Sequence, residues 1–147
     1  MLRQRDKESY NLLLLALYAF HEHGEDEVCL SEILECFKHL EGKIQTKYKF
    51  LDRFLYSPQL LEDLRDLSYQ GLVRRFAYQH DAFLPKTYFM LTDLGKLYGK
   101  RSLSQSNVEE LEKVNNFVRL AIENHRKRWK FWARSKQSPE NVTPIVQ

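Results

Sequence analysis

Cys29, Cys36 and His39 are the residues of this chain best suited by type to hold a metal ion, with His21 and His23 shortly upstream. Cys36 and His39 stand at i, i+3 and so share one helix face. A structural zinc site, however, needs three or four ligands in a recognisable spacing. No CxxC pattern occurs, and the two cysteines read as buried free thiols of a reducing compartment. No metal and no cofactor is expected. Nucleophilic catalysis has no better support, because the chain shows neither a Gly-rich phosphate loop nor a nucleophile on a sharp turn. His80 and Asp81 read as a solvated pair at a loop tip, and Ser57 and Ser68 have helix-local explanations. The sequence predicts no enzyme.

What remains is the chemistry of cations and helix ends. Lys47, Lys49 and Arg53 lie just ahead of the segment "SPQLLEDLRDLSYQGLV", and Arg74, Arg75 and Lys86 just beyond it. The elements that position them follow from apolar spacing and turn residues. A helix is predicted over 7–23, apolar on most sides in "YNLLLLALYAF" and stopped by Gly24. A short strand over 27–30 and a helix over 31–40 follow, the latter closed by Gly42. Residues 46–56 carry Phe50, Leu51, Phe54 and Leu55 at helical spacing and are expected as a short helix or helix-like turn. Ser57 is a fitting N-cap and Pro58 a fitting first helical residue, and Leu60, Leu61, Leu64 and Leu67 make the stripe that this third long helix buries. Residues 72–79 and 86–91 are strand-like and rich in aromatics, and "HDAFLP" joins them as a long hairpin loop. A helix capped by Thr92, a polar break "SLSQSN" and a long helix from Val108 to about Trp132 complete the order. Helix, short strand, two helices and a hairpin make a winged helix-turn-helix: a mainly α fold with a small β-wing, α+β in class.

The segments "SPQLLEDLRDLSYQGLVRR" and "KTYFMLTDLGKLYG" resemble the PadR-like family of winged-helix transcriptional regulators. The features shared are Ser57-Pro58, the spaced leucines, Gly71-Leu72-Val73, Tyr88, Leu91-Thr92 and Gly95, and "LLLLALYAFHEHG" is similar to the family's opening helix. The similarity covers roughly residues 10–98, and the short length with one long C-terminal helix further resembles the family's clock-associated members. It implies a homodimeric repressor of transcription on double-stranded DNA, possessing no catalysis, with the third helix in the major groove and the wing on the backbone. Two features depart from the simplest pattern: the stretch ahead of Ser57 is long, and the third helix is acidic.

Within that frame the cations and the helix start become the expected DNA contacts: Lys47, Lys49, Arg53, Tyr56, Ser57, Gln59, Arg74, Arg75 and Lys86. On a strand Arg74 and Arg75 face opposite ways, so at most one of them points at DNA. Glu62, Asp63 and Asp66 oppose a single Arg65 on the third helix. Such acids serve a helix through its macrodipole and through i, i+3 pairing. The competing reading is that one of them accepts a hydrogen bond from a cytosine amino group.

The last helix carries a second pattern. Val108, Leu111, Asn115, Val118, Ile122, His125, Trp129 and Trp132 alternate by three and four, the signature of a heptad seam. Either this helix packs on its own domain or it pairs with its copy in a homodimer; the number of large apolar residues favours the dimer, with Asn115 setting register. Residues 1–103 hold 15 Lys/Arg and 15 Asp/Glu, whereas residues 104–147 hold 8 and 5 and so carry the whole net charge of +3. Six cations and no acid lie between Arg126 and Lys136. That run suits a helix C-terminus first, DNA phosphates second and a membrane surface third. The expected organisation is a winged-helix DNA-binding domain over 1–103, a dimerisation helix with a basic end over 104–136 and a flexible tail over 137–147. The apolar run 12–20 is too short to span a bilayer and lacks the flanks of a signal peptide, so a cytoplasmic protein is expected. An alternative function is a winged-helix protein-interaction module, which the acidic third helix favours.

Overall fold

The apolar centre of the first helix is buried on nearly every side. In the computed structural model, which describes residues 4–44, 48–50, 55–78 and 86–136, Leu12 through Leu17 and Ala19–Phe20 lie in the core. This helix, α1 (Gln4–Glu22), ends where the N–H of Glu25 donates to Phe20 O and that of Gly24 to His21 O. The order continues with β1 (Val28–Cys29), α2 (Leu30–Leu40), α3 (Pro58–Tyr69), β2 (Val73–Tyr78), β3 (Lys86–Leu91), α4 (Asp93–Gln105) and α5 (Val108–Lys136). The three strands form one antiparallel sheet in the order β1-β3-β2. The described chain is thus mainly helical with a small three-stranded sheet, α+β in class. No described helix is long and apolar enough to cross a membrane. Lys47, Arg53, the loop 79–85 with His80 and Asp81, and the tail 137–147 lie outside the described residues.

Local chemistry accounts for the ends of α3. The backbone N–H of Leu60 donates to Ser57 Oγ, and Pro58 occupies the first turn where no N–H is needed. At the other end Gly71 takes φ +77°, a left-handed conformation that costs glycine little. It lets the Leu72 N–H reach back to Leu67 O at 2.9 Å and the Gly71 N–H to Ser68 O at 3.1 Å, while Leu72 buries its side chain. Leu60, Leu64 and Leu67 are fully buried, each contributing on the order of 2 kcal/mol of hydrophobic stabilisation. The second helix begins one residue earlier than Ser31: Cys29 is its N-cap, and the Cys29 N–H donates to Glu32 Oε1.

Three expectations are corrected. Residues 48–50 and 55–57 are not helical, so apolar spacing over 46–56 does not make a helix at the described positions. Tyr48 turns inward instead, edge-on to Phe37 with ring centres 5.2 Å apart. The polar break after α4 shrinks to Ser106–Asn107, because the hydroxyls of Ser102, Ser104 and Ser106 donate to the carbonyls of Tyr98, Arg101 and Ser102 and are accommodated by the helix. Finally, α5 lies against α2 and α1 of its own chain, with Val114, Val118, Ala121 and Ile122 buried. Val118 and Ile122 are therefore core residues of one chain and not the middle of a seam between copies. The start of α5 is capped by Asn107, whose Oδ1 accepts from the Glu110 N–H at 2.7 Å.

Candidate functional site

The outer face of α3 and one face of the β2–β3 hairpin enclose an open groove of about 590 Å³. On α3 the face follows helical spacing: Pro58, Leu61, Glu62, Arg65, Ser68 and Tyr69 look into the groove while Leu60, Leu64 and Leu67 look into the core. The hairpin supplies Arg75, Thr87 and Phe89, with Arg75 and Phe89 directly paired across the strands. Leu30 at the start of α2 and Tyr56 ahead of α3 complete the lining. Arg65 and Arg75 are both solvent-exposed and line the groove together with one exposed carboxylate, Glu62. Tyr69, 81% exposed, lines the same groove as these two arginines. Guanidinium forks bind oxyanions and planar hydrogen-bonding edges, and tyrosine rings offer a stacking surface. Neighbouring apolar atoms of Leu61 and Phe89 line the same groove.

The acidity of α3 now divides by position. Asp63 is buried, accepting from Tyr48 Oη at 2.7 Å and from Gln59 Nε2 at 3.3 Å. It holds the 48–50 segment against α3 and is no surface acid. Only Glu62 of the three carboxylates lines the groove.

The residues expected to touch phosphate fall into separate groups. Arg75 and Tyr56 line the groove, and Lys49 is exposed on the segment that Tyr48 anchors. Arg74 and Lys86 pair with Met90 and Tyr78 and so stand on the other face of the hairpin from Arg75. One residue is corrected, and a second is partly engaged within the fold. Ser57 is completely buried with its hydroxyl spent on the helix cap, and Gln59 is half-buried with its amide turned to Asp63. Ser57→Ala is accordingly expected to lower stability by about 1 kcal/mol in a denaturant titration and to leave ligand affinity of the folded protein unchanged. Arg65, Ser68 and Tyr69 are not among the DNA contacts expected from sequence, although the i, i+3, i+7 spacing from Glu62 suffices to place Arg65 and Tyr69 opposite the leucine stripe.

Along α5, Val108 is 70% exposed, Leu111 and Asn115 are half-buried, and His125 sits with Nε2 4.0 Å from Glu32 Oε1 of α2. Trp129 and Trp132 continue the helix backbone. Among the described residues no group of three or more His, Cys, Asp or Glu side chains is arranged to hold a metal ion. Burial, and next the charge of Glu35, push the Cys36 thiol well above the ordinary thiol range, so it is an inert core group. Comparison with protein-family models, with curated proteins and with solved structures finds no match.

Proposed function

We propose that the chain is a winged helix-turn-helix regulator of transcription, a cytoplasmic homodimer that represses by binding double-stranded DNA through the groove between α3 and the β2–β3 hairpin. The observation that carries this reading is the placement of Arg65 and Arg75 on opposite walls of that groove. The element order α1-β1-α2-α3-β2-β3 and the sheet order β1-β3-β2 support the winged-helix assignment. In this reading the third helix enters the major groove, and the cations of the hairpin and of Lys49 meet phosphates alongside it. The homodimer draws on the apolar side chains left exposed: Leu94, Leu97 and Tyr98 on α4 and Val108 and Leu120 on α5.

The test is a genomic pull-down with the tagged full chain, followed by binding titrations on the recovered duplex at several salt concentrations. Affinity is expected to fall steeply with salt, because neutralising phosphates releases counterions. Arg65→Glu with Arg75→Glu is expected to weaken binding by at least roughly tenfold and to reduce the salt slope by about 1 for each phosphate that is no longer neutralised. An affinity that ignores both salt and the double reversal would sink the proposal. A second reading, a protein-interaction module, is favoured by the apolar atoms of Leu61 and Phe89 in the groove and by Glu62 beside them. No enriched fragment, together with protein partners that no longer bind Leu61→Asp, would select it.

A further inference from the structure

Glu32 is 1% exposed, yet among the described residues its Oε2 finds no hydrogen-bond partner, a costly state for a carboxyl group removed from water. Its Oε1 accepts from the Cys29 N–H at 3.2 Å and stands 4.0 Å from His125 Nε2. The two side chains come from different elements, α2 and α5, and meet where those helices pack. We propose that a proton held by Glu32, beneath His125 at the α2–α5 contact, latches α5 onto α2, and that loss of this proton as the solution turns alkaline loosens α5.

The charge of Glu32 explains the direction. With its proton Glu32 is neutral; without it, a buried carboxylate with an unsatisfied oxygen lies beneath α5. The groups around it do little to relieve that charge. Glu25, from the loop before β1, and Glu35 of α2 oppose ionisation; Arg126 of α5 favours it but is 61% exposed and 3.5 Å from Glu25. Asn124 of α5 is occupied by Glu35 Oε1 at 2.7 Å, and His39 Nε2 stands 4.0 Å from the same oxygen. Burial above all pushes Glu32 up from 4.5 to about 7, partly offset by the Cys29 N–H. Since the value in the docked state lies above the free one, the contribution is fully present below about 4.5 and is lost as the pH rises through about 7. The latch does not depend on what the α3 groove binds.

Amide hydrogen exchange on the full chain, corrected for intrinsic rates, reads the opening of α5 against α3 as an internal reference. Between about pH 6 and pH 8 the opening constant of residues 114–126 is expected to rise roughly tenfold, with α3 unchanged. Glu32→Gln is neutral at every pH and keeps an acceptor for Cys29, so it is expected to abolish that rise. A carboxyl-carbon NMR titration of Glu32 in the unmodified chain decides the matter if the variant does not fold, with a midpoint near neutrality expected. A midpoint in the ordinary carboxylate range, α5 protection flat across these pH values, or a Glu32→Gln variant with the same rise as the unmodified chain would overturn the latch.

Discussion

Gly95→Ala is expected to destabilise the protein by about 3 kcal/mol or more, lowering the thermal midpoint by roughly 10 °C. Helix propensity alone points the other way, since alanine gains up to about 1 kcal/mol over glycine inside a helix. The tertiary setting reverses the sign. A Cβ at Gly95 would overlap the carbonyl oxygen of Leu72 and stand 3.0 Å from its carbon and 3.1 Å from Leu91 Cδ2. The obstacle is backbone, and that backbone is fixed from both sides. Leu72 O accepts from the Thr92 N–H at 3.0 Å, the Thr92 hydroxyl donates to Gly71 O at 2.6 Å, and the Gly95 N–H donates to Thr92 Oγ1 at 3.0 Å. The first turn of α4 is thereby tied to the turn that ends α3, so relief of the clash must shift α4 off α1 or break this set of bonds. Differential scanning calorimetry of the variant checks the outcome. A midpoint equal to or above that of the unmodified chain would show that α4 does not approach Leu72 as described.

Asp63→Ala is the second large effect, expected to destabilise by about 3 kcal/mol in a denaturant titration. The substitution removes the acceptors of Tyr48 Oη and Gln59 Nε2 and takes this acceptor from a phenol hydroxyl whose residue is only 1% exposed. An unmade buried hydrogen bond costs about 1–3 kcal/mol, and the cavity left by the carboxylate adds to it. Surface acids on helices, by contrast, change stability by less than about 0.5 kcal/mol on substitution, which is the value expected for Glu62→Ala. The contrast between neighbours on one helix is the diagnostic. A double-mutant cycle of Asp63→Ala with Tyr48→Phe is expected to show a coupling of at least about 1 kcal/mol, because the two changes remove the same bond. Strict additivity would mean that Tyr48 and Asp63 do not interact.

These two cases mark how far local reading extends. The N-caps of α3 and α4 and the two hairpin strands are legible because each depends on residues within a few positions of one another. Ser57 and Pro58 need only the N–H groups of the first turn. The leucine stripe of α3 needs only the helical period. Serine misled at the end of α4, because its tendency to compete with the helix was answered by hydroxyl bonds back to the preceding turn. The groove is half legible: Arg75 and Tyr56 follow from sequence, whereas Ser57, expected at phosphate, is buried with its hydroxyl on the helix cap.

The order of α1 to α5, the ends of α3, the start of α4, strand pairing in the hairpin and the absence of a membrane-crossing apolar run among the described helices follow from sequence, through short-range sterics, backbone hydrogen bonding and apolar period. Which side chains became buried, and beside whom, was decided by packing between distant elements. Asp63 is an interior residue because Tyr48 lies over it from 15 positions upstream. Glu32 is a buried carboxyl because His125 and its helix close over α2 from the far end of the chain. The three-four alternation of α5 showed that one face must be covered, and a period carries no information on what covers it; in the folded chain Val118 and Ile122 meet α1 and α2 before any second copy can. Burial is a property of pairs of surfaces, and so the acids of this protein acquired their separate roles only when those surfaces met.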